Sequence, residues 1–484
     1  MTIEPATRLE GEGKISIILN EKGEVDAAFF QVVEFRGFEN FCIGRLAEEM
    51  PRYTTRICGV CPWAHHLASA KAVDALFGRE VPEAAHLIRE LGYCAFMIHD
   101  HALHFFILAG PDFLLGLGRK AEERNIVNLV AKNPEIGKVA IETIKCAEKI
   151  EEIVAGEPIH AVFALPGGVS KNLSREEVSE IEQLSKRLLE LTEKALNYFE
   201  EDVFEKYKDF FYDEAYVLNT YQVGLVDGRK SLNFYRNNEL RVVDLSGSEA
   251  ALFDKDEYLE YIAEYVESWT YIKMPYLKFV GWKGLEEGEK SGVYVVGPTA
   301  RLSVVEDVPT EKAGESYERY LKAFGKPAHQ MLSSHWARLI ENVYSAERIL
   351  EIISEHENEL VSGERLNLDG EYRGVGVGVM EAPRGLLIHH YEADEKGVIR
   401  KVNVLSPTTH NNAALSLAVK KAAQKYLKKG LKDEAFMNMI EVAYRAFDPC
   451  LACGSHCLPG KLPLQVEFYD HEGKLVKVLR REVD

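Results

Sequence analysis

Two cysteine pairs at opposite ends of the chain carry its strongest chemical signal. The first lies in 56-RICGVCPWAHH-66, with Cys58 and Cys61; the second lies in 448-DPCLACGSHC-457, with Cys450 and Cys453. A Cys-x-x-Cys turn brings two sulfurs to one side of the backbone, so each pair can grip one metal ion. Pro62 suits the first position of a helix, whose N-terminus favours a thiolate at Cys61. Pro449 stops the helix predicted before it and puts Cys450 into a turn. Two such pairs are also the ligand set of structural zinc. Zinc ribbons, however, close loops of about 15–20 residues, whereas these pairs stand at the two ends of a 484-residue chain. A thioredoxin-like redox pair is a further alternative, but no βαβ pattern surrounds either motif.

The elements that position these cysteines follow from the apolar pattern. Residues 14–35 alternate around an Asn-Glu-Lys-Gly turn and predict a β-hairpin. Helical spacing runs from Pro62 to about Phe77, then over 83–110, 134–155, 175–209, 256–270, 328–358, 412–428 and 433–447. Ser174 with Glu177 forms a capping box for the helix near 175. Short strand-like runs occur at 293–297 and 375–391. No Pro/Gly/Ser-rich linker and no internal repeat divides the chain. The expectation is one large, mainly α domain with small β appendages, an α+β protein.

Composition excludes some functions. With 46% apolar and 28% charged residues the chain can bury a sizeable core. A net charge of −19 argues against nucleic acid as a partner, because phosphate binding needs a basic face. The start, MTIEPATRLEGEGKI, has no secretory apolar region, and the most apolar window, 94–110, is broken by three His and an Asp. A cytoplasmic protein that does not itself span a membrane is expected. Of eight cysteines, Cys42, Cys94 and Cys146 are scattered and read as core residues.

The residues flanking the cysteines narrow the choice. Arg56-Ile57-Cys58-Gly59-Val60-Cys61 with His65, and Asp448-Pro449-Cys450-x-x-Cys453 with His456, resemble the two cysteine motifs of nickel–iron hydrogenase large subunits. That fold is shared with the quinone-module subunit of complex I. The stretches 5-PATRLEGEGKI-15, 35-FRGFE-39, 381-EAPRG-385 and 407-PTTHN-411 follow in the family's order, so the resemblance spans essentially the whole chain. It implies reversible heterolytic cleavage of H2 at a nickel held by four thiolates, two of which bridge to an iron carrying CO and cyanide.

Carried over by position, Cys58 and Cys450 are terminal nickel ligands, and Cys61 and Cys453 are the bridging ones. Soft sulfur donors suit both metals. Glu10 matches a proton-transfer glutamate that takes a proton from Cys450. Glu12 stands where the family often has His, which puts the route beyond Glu10 in question. Arg384 matches an arginine over the open metal position, with Pro383 beside it and Asp112 and Asp448 resembling the acids that orient it. Thr408 resembles a hydroxyl bonded to a cyanide, and His65 is placed near a bridging sulfur. A second site for Mg, or a second Fe, is implied at Glu39, His456 and the Val404 carbonyl. Without the resemblance, Glu10 reads as an exposed strand-edge acid and Arg384 as a surface ion-pair residue. His101 and His104 read as packed core histidines.

Cys42, Cys94 and Cys146 lack ferredoxin-like spacing, so no iron–sulfur cluster is expected in this chain. The resemblance therefore implies a small iron–sulfur subunit, with the 14–35 hairpin and the helices near 83–110 as candidate docking surfaces. The stretches VEFRGFENF and RICGVCPWAHHLASAKAVDALFG are most similar to cytoplasmic viologen-reducing hydrogenases. Those enzymes work with heterodisulfide reductase through an electron-transfer subunit, and they do not reduce the deazaflavin cofactor. A deazaflavin- or NAD(P)-coupled enzyme and an H2-sensing regulatory protein are the rival readings. A complex I-like subunit is disfavoured, because such subunits typically lack the cysteine pairs.

Residues 457–484 alternate around Asp-His-Glu-Gly and predict a second hairpin. The plain reading is a hairpin that stays on the domain. The resemblance implies instead a precursor, served by nickel-insertion proteins and cut after His456 by a maturation protease. Residues 1–456 would then be the mature domain and 457–484 the removed tail.

Overall fold

The structure, a computed structural model, describes residues 2–3, 6–34, 36–427, 434–455, 464–469 and 474–481. Its centre is a bundle of four long helices, Glu83–Leu103, Pro134–Ala155, Arg175–Tyr198 and Ser334–Ser362. Ser334–Ser362 packs on Glu83–Leu103 and Arg175–Tyr198, and Pro134–Ala155 packs on the same two helices. Their caps are the ones the sequence offers. Asn133 and Pro134 open one helix, Gly156 closes it at φ 86°, and the Ser174–Glu177 capping box is formed. Glu83–Ala109 is the one described segment long and apolar enough to cross a membrane, and it lies buried in this core.

A three-stranded antiparallel sheet, Val375–Ala382, Gly385–Ala393 and Ile399–Leu405, lies against helix Pro62–Leu76. Two glycines make that approach possible. A Cβ on Gly376 would sit 2.0 Å from the Ala72 carbonyl oxygen, and one on Gly378 2.0 Å from that of Ala68. The Val-Gly-Val-Gly-Val run is therefore a helix-contact surface. Ala382 pairs with Gly385, so Pro383 and Arg384 form the two-residue tip of a hairpin.

The N-terminal hairpin forms as Gly13–Leu19 and Val25–Val32. Two expected helices end earlier than the periodicity suggests. Glu83–Leu103 passes into a π turn at His104–Ala109, and Arg175–Tyr198 into another at Phe199–Phe204. The helix expected over 256–270 is not present. One turn, Tyr258–Tyr261, is followed by strand Ile262–Tyr265, paired antiparallel with Met274–Leu277. This stretch is rich in tyrosine, and pairing with a partner strand overrides its helical spacing. The C-terminal hairpin is formed by Leu464–Tyr469 and Leu475–Arg481.

Candidate metal centre

Helix Pro62–Leu76 starts at Cys61, which is its N-cap, with Pro62 in the first turn. Cys58 lies just before it in extended backbone and accepts from the Val60 and Cys61 amides at 3.2 and 3.4 Å. At the other end, helix Glu434–Arg445 stops, and Asp448 turns the chain at φ 52°, a left-handed conformation that Asp tolerates. Cys450 and Cys453 follow, and Leu451–Ser455 is helical.

The four sulfurs converge. Cys58 and Cys450 are 3.3 Å apart, Cys61 and Cys453 3.0 Å, Cys450 and Cys453 2.8 Å. All four lie within 4.8 Å of one another, and all are buried. Burial opposes charge on each. At Cys58 donation from the neighbouring thiols outweighs it and lowers the pKa well below the usual thiol value. Cys450 and Cys453 are pushed well above theirs, first by burial and then by the crowding of sulfurs. Four sulfurs this close can all be thiolates only if cationic metal offsets them. The donor set thus fits soft-metal binding, and a small cavity beside it is lined by Cys61, Cys453, His65, Arg384, Leu387 and Thr408.

Glu10 reaches this group through the backbone. It forms a parallel bridge with Cys450, and its carbonyl accepts from the Leu451 amide at 2.8 Å. Its Oε2 is 3.0 Å from Cys450 Sγ and accepts from the Ala452 amide at 2.9 Å. Gly11 allows the approach. It has φ 85°, and a Cβ there would meet Leu451 Cβ at 2.8 Å. Burial pushes the Glu10 pKa up to about 7, with repulsion from the Cys58 sulfur adding to it. It is no exposed strand-edge acid.

Arg384 is buried on the hairpin tip. Its Nη1 donates to Asp100 Oδ2 at 2.9 Å, and Nη2 to Asp448 Oδ1 at 3.1 Å. Arg301 holds the tip from behind, donating to the Ala382 carbonyl at 2.7 Å and the Pro383 carbonyl at 3.2 Å. Two buried glutamates, Glu341 and Glu381, anchor Arg301 in turn.

The placement of Asp112 is a correction. It does not touch Arg384 but sits among Arg8, Arg124 and Arg445, with Arg445 Nη1 at 3.0 Å. The π turn at His104–Ala109 precedes the short helix carrying it. Asp100, one turn before the end of the main helix, takes the orienting role instead. Asp112 acts on the N-terminal segment, because Arg8 and Arg445 tie residues 7–8 in place two positions before Glu10.

Thr408 Oγ1 accepts from the Cys450 amide at 2.9 Å, which fixes the second cysteine turn. His65 Nε2 lies 3.3 Å from Cys453 Sγ, as the resemblance placed it. Burial lowers the His65 pKa to about 4, so the ring is neutral. His101 pairs with Glu341 at 2.7 Å and His104 with the Arg445 carbonyl at 2.9 Å; both are structural. Cys42 and Cys94 are buried away from the sulfur group, and Cys146 is half-buried.

Glu39 accepts from the Val404 amide at 2.9 Å and pairs with Arg36 at 2.6 Å. The Val404 carbonyl accepts from Arg36 at 3.3 Å. Glu39 and Val404 are thus neighbours, while His456 lies outside the described residues. Sequence reasoning missed Asp100, Glu34 and His389. Glu34 is buried beyond the Gly11 turn, accepting from the Glu12 amide at 2.7 Å and the Ser455 hydroxyl at 2.6 Å. Nothing in its sequence context marks it, but Asp100, one helical turn before His104 in an apolar helix, was a visible anomaly.

Comparison with known proteins agrees with this geometry. The family model described as nickel-dependent hydrogenase matches residues 36–131 and 289–456, and one described as HoxL-like matches residues 1–35. A protein of Archaeoglobus profundus, named as an iron-sulfur subunit of F420-non-reducing hydrogenase, is 43% identical over 99% of both chains. The NAD-reducing hydrogenase HoxS subunit beta of Cupriavidus necator is 34% identical over 98% of both. Among solved structures, an NAD+-reducing [NiFe]-hydrogenase in the H2-reduced state superposes with a TM-score of 0.88 at 39% identity. It covers 94% of this chain and 99% of the solved one. A [NiFeSe]-hydrogenase from Dm. baculatum, at 22% identity and a TM-score of 0.75, shares the fold. With its four buried cysteines gathered under Arg384 and beside Glu10, this chain belongs to the nickel-dependent hydrogenases, as their catalytic large subunit.

Proposed function

We propose that this chain is the H2-activating subunit of a cytoplasmic, F420-non-reducing hydrogenase whose electrons pass through a small iron–sulfur subunit toward heterodisulfide reductase. The observation that carries the reading is the convergence of Cys58, Cys61, Cys450 and Cys453 within 4.8 Å. High similarity to relatives named as parts of F420-non-reducing hydrogenases, at 39–43% identity, supports the acceptor class. NAD(P) coupling is the second reading, because a relative named NAD-reducing is 34% identical.

Cys58 and Cys450 would hold nickel terminally, and Cys61 and Cys453 would bridge it to an iron carrying CO and cyanide. When bound, this centre supplies the acceptor for the electron pair of the H–H bond. The protein then has to manage the proton. Cys450 Sγ receives it and lies 3.0 Å from Glu10 Oε2, within direct transfer range. Glu10, kept near neutrality by burial, can both take that proton and release it. Glu34, which accepts from the Glu12 amide beyond the Gly11 turn, is a further carboxylate on this side. The Arg384 guanidinium, held by two carboxylates, presents a fixed positive charge to the cavity, where it can polarise H2 or bond a cyanide. Thr408 keeps Cys450 in register.

Glu39, the Val404 carbonyl and His456 would hold Mg or a second iron. Release of residues 457–484 would let His456 reach Glu39. The family match that stops at residue 456 supports a mature end there. For the iron–sulfur partner the hairpin surface remains available, but the helix near 83–110 does not, since it is core. Phe41, Ile43 and Leu46 are exposed instead, and so are Ile159 and Val162. Both groups flank the Thr55–Cys58 segment, since Phe41 packs on Tyr53 and His160 binds the Thr55 carbonyl at 2.7 Å. An iron–sulfur cluster docked there would stand close to the first cysteine pair.

The test is H2-dependent reduction of viologen, F420 and NAD(P) by the purified native complex. Viologen reduction without either of the other two is the predicted result. Efficient F420 or NAD(P) reduction would replace the acceptor assignment.

A further inference from the structure

The His65 ring is one end of a buried hydrogen-bond chain. His65 Nδ1 is 3.1 Å from His389 Nε2, and His389 Nδ1 is 2.5 Å from the Tyr391 hydroxyl. The Tyr391 hydroxyl is in turn 2.9 Å from Ser69 Oγ. All four side chains are fully enclosed. Their spacing is that of two regular elements meeting face to face. His65 and Ser69 are one turn apart on helix Pro62–Leu76, and His389 and Tyr391 are alternate residues on strand Gly385–Ala393. The chain zigzags between them, drawn close by Gly376 and Gly378 on the next strand.

Chemistry fixes the sense of the chain. A neutral imidazole has one N–H, so the partner of one nitrogen decides the role of the other. A ligating Cys453 thiolate is an acceptor only, so His65 has to donate from Nε2 and accept at Nδ1. His389 then donates from Nε2 and accepts at Nδ1 from Tyr391, whose oxygen accepts from Ser69. Here the Tyr391 hydroxyl donates to Ser69 Oγ, and rotation of the two hydroxyls about their C–O bonds turns that bond round when the Cys453 sulfur ligates.

We infer that His389, Tyr391 and Ser69 are positioning residues that hold His65 with its Nε2–H on Cys453 Sγ while that sulfur bridges the metals. An N–H on a bridging sulfur draws electron density from it and hence from the iron. The inference rests on the metal-centre reading above and adds what tunes it.

The test is infrared spectroscopy of the native complex, comparing wild type with Tyr391→Phe and Ser69→Ala, alongside nickel and iron content. Tyr391→Phe keeps the ring and removes the hydroxyl that orients His389. The expected result is unchanged metal content with the CO and cyanide bands moved to lower wavenumber, more in Tyr391→Phe than in Ser69→Ala. A merely structural role would lower metal content without moving the bands of the loaded fraction. Unmoved bands at full metal content in both variants would overturn the inference. If Tyr391→Phe fails to accumulate, the Ser69→Ala bands decide, a downward shift supporting the chain and no shift refuting it. Absence of such bands from the wild-type enzyme would refute the metal-centre reading, and the inference with it.

Discussion

Two buried ion clusters lie around the segment that leads into Cys450, and they are built in opposite ways. In one, Arg384 is a single cation between two carboxylates, Asp100 and Asp448. In the other, Asp112 sits in the middle of Arg8, Arg124 and Arg445, and Glu441 pairs with the last two from the side. The first lines the cavity beside Cys61 and Cys453; the second ties the N-terminal segment to the helix before Cys450. A cation braced by acids can face a reacting centre with its position fixed. An acid saturated by three arginines has no capacity left for anything but holding them. Both clusters are buried, so what separates chemistry from scaffolding is which sign is in the middle and what that group faces.

This comparison can be broken by mutation. The largest effect is expected at the sulfurs both clusters serve. Serine at position 58, 61, 450 or 453 should abolish H2 turnover and disturb metal incorporation, while Cys94→Ala should leave a measurable enzyme. Loss of nickel from Cys94→Ala with retention in Cys58→Ser would reverse the ligand assignment. Glu10→Gln comes next. Its shape and backbone bridge persist but the titratable group is lost, so turnover should fall about 10²- to 10⁴-fold with metals in place. Near wild-type H2 oxidation would remove Glu10 from the mechanism.

Arg384→Lys should cost about 10²-fold in turnover, since an ammonium cannot fork between Asp100 and Asp448. Asp112→Asn should act differently. It removes the carboxylate partner of Arg8 and leaves Arg124 and Arg445 with Glu441 alone, and should cost about 3 kcal/mol in stability, read as a lowered unfolding midpoint. Turnover per nickel should suffer less than in Arg384→Lys. The reverse ranking would return Asp112 to the active site and undo the distinction between the clusters.

The long helices were legible because their periodicity and caps agree: Pro134–Ala155 has the bounds that Pro134 and Gly156 announce. The sulfur group was legible from the two Cys-x-x-Cys turns taken with the flanking residues that carry the resemblance; spacing alone left zinc open. The Asp112 assignment failed. It rested on resemblance, and in the fold Asp100 and Asp112 lie on either side of a π turn, with Asp100 on Arg384 and Asp112 among other arginines. Strand Ile262–Tyr265 was missed because its pairing partner, Met274–Leu277, lies outside any local window. The His389–Tyr391 chain depends on helix and strand meeting face to face, which neither segment announces by itself.

The central claim is that four cysteines from the two ends of the chain hold a nickel–iron centre that activates H2. Elemental analysis of the purified native complex, made on the same sample as an H2/D2O exchange assay, tests it most directly. Nickel and iron in matching amounts, with exchange activity that follows nickel content across preparations, is the predicted result. Zinc in the four-cysteine site without nickel, or exchange independent of nickel content, would contradict it.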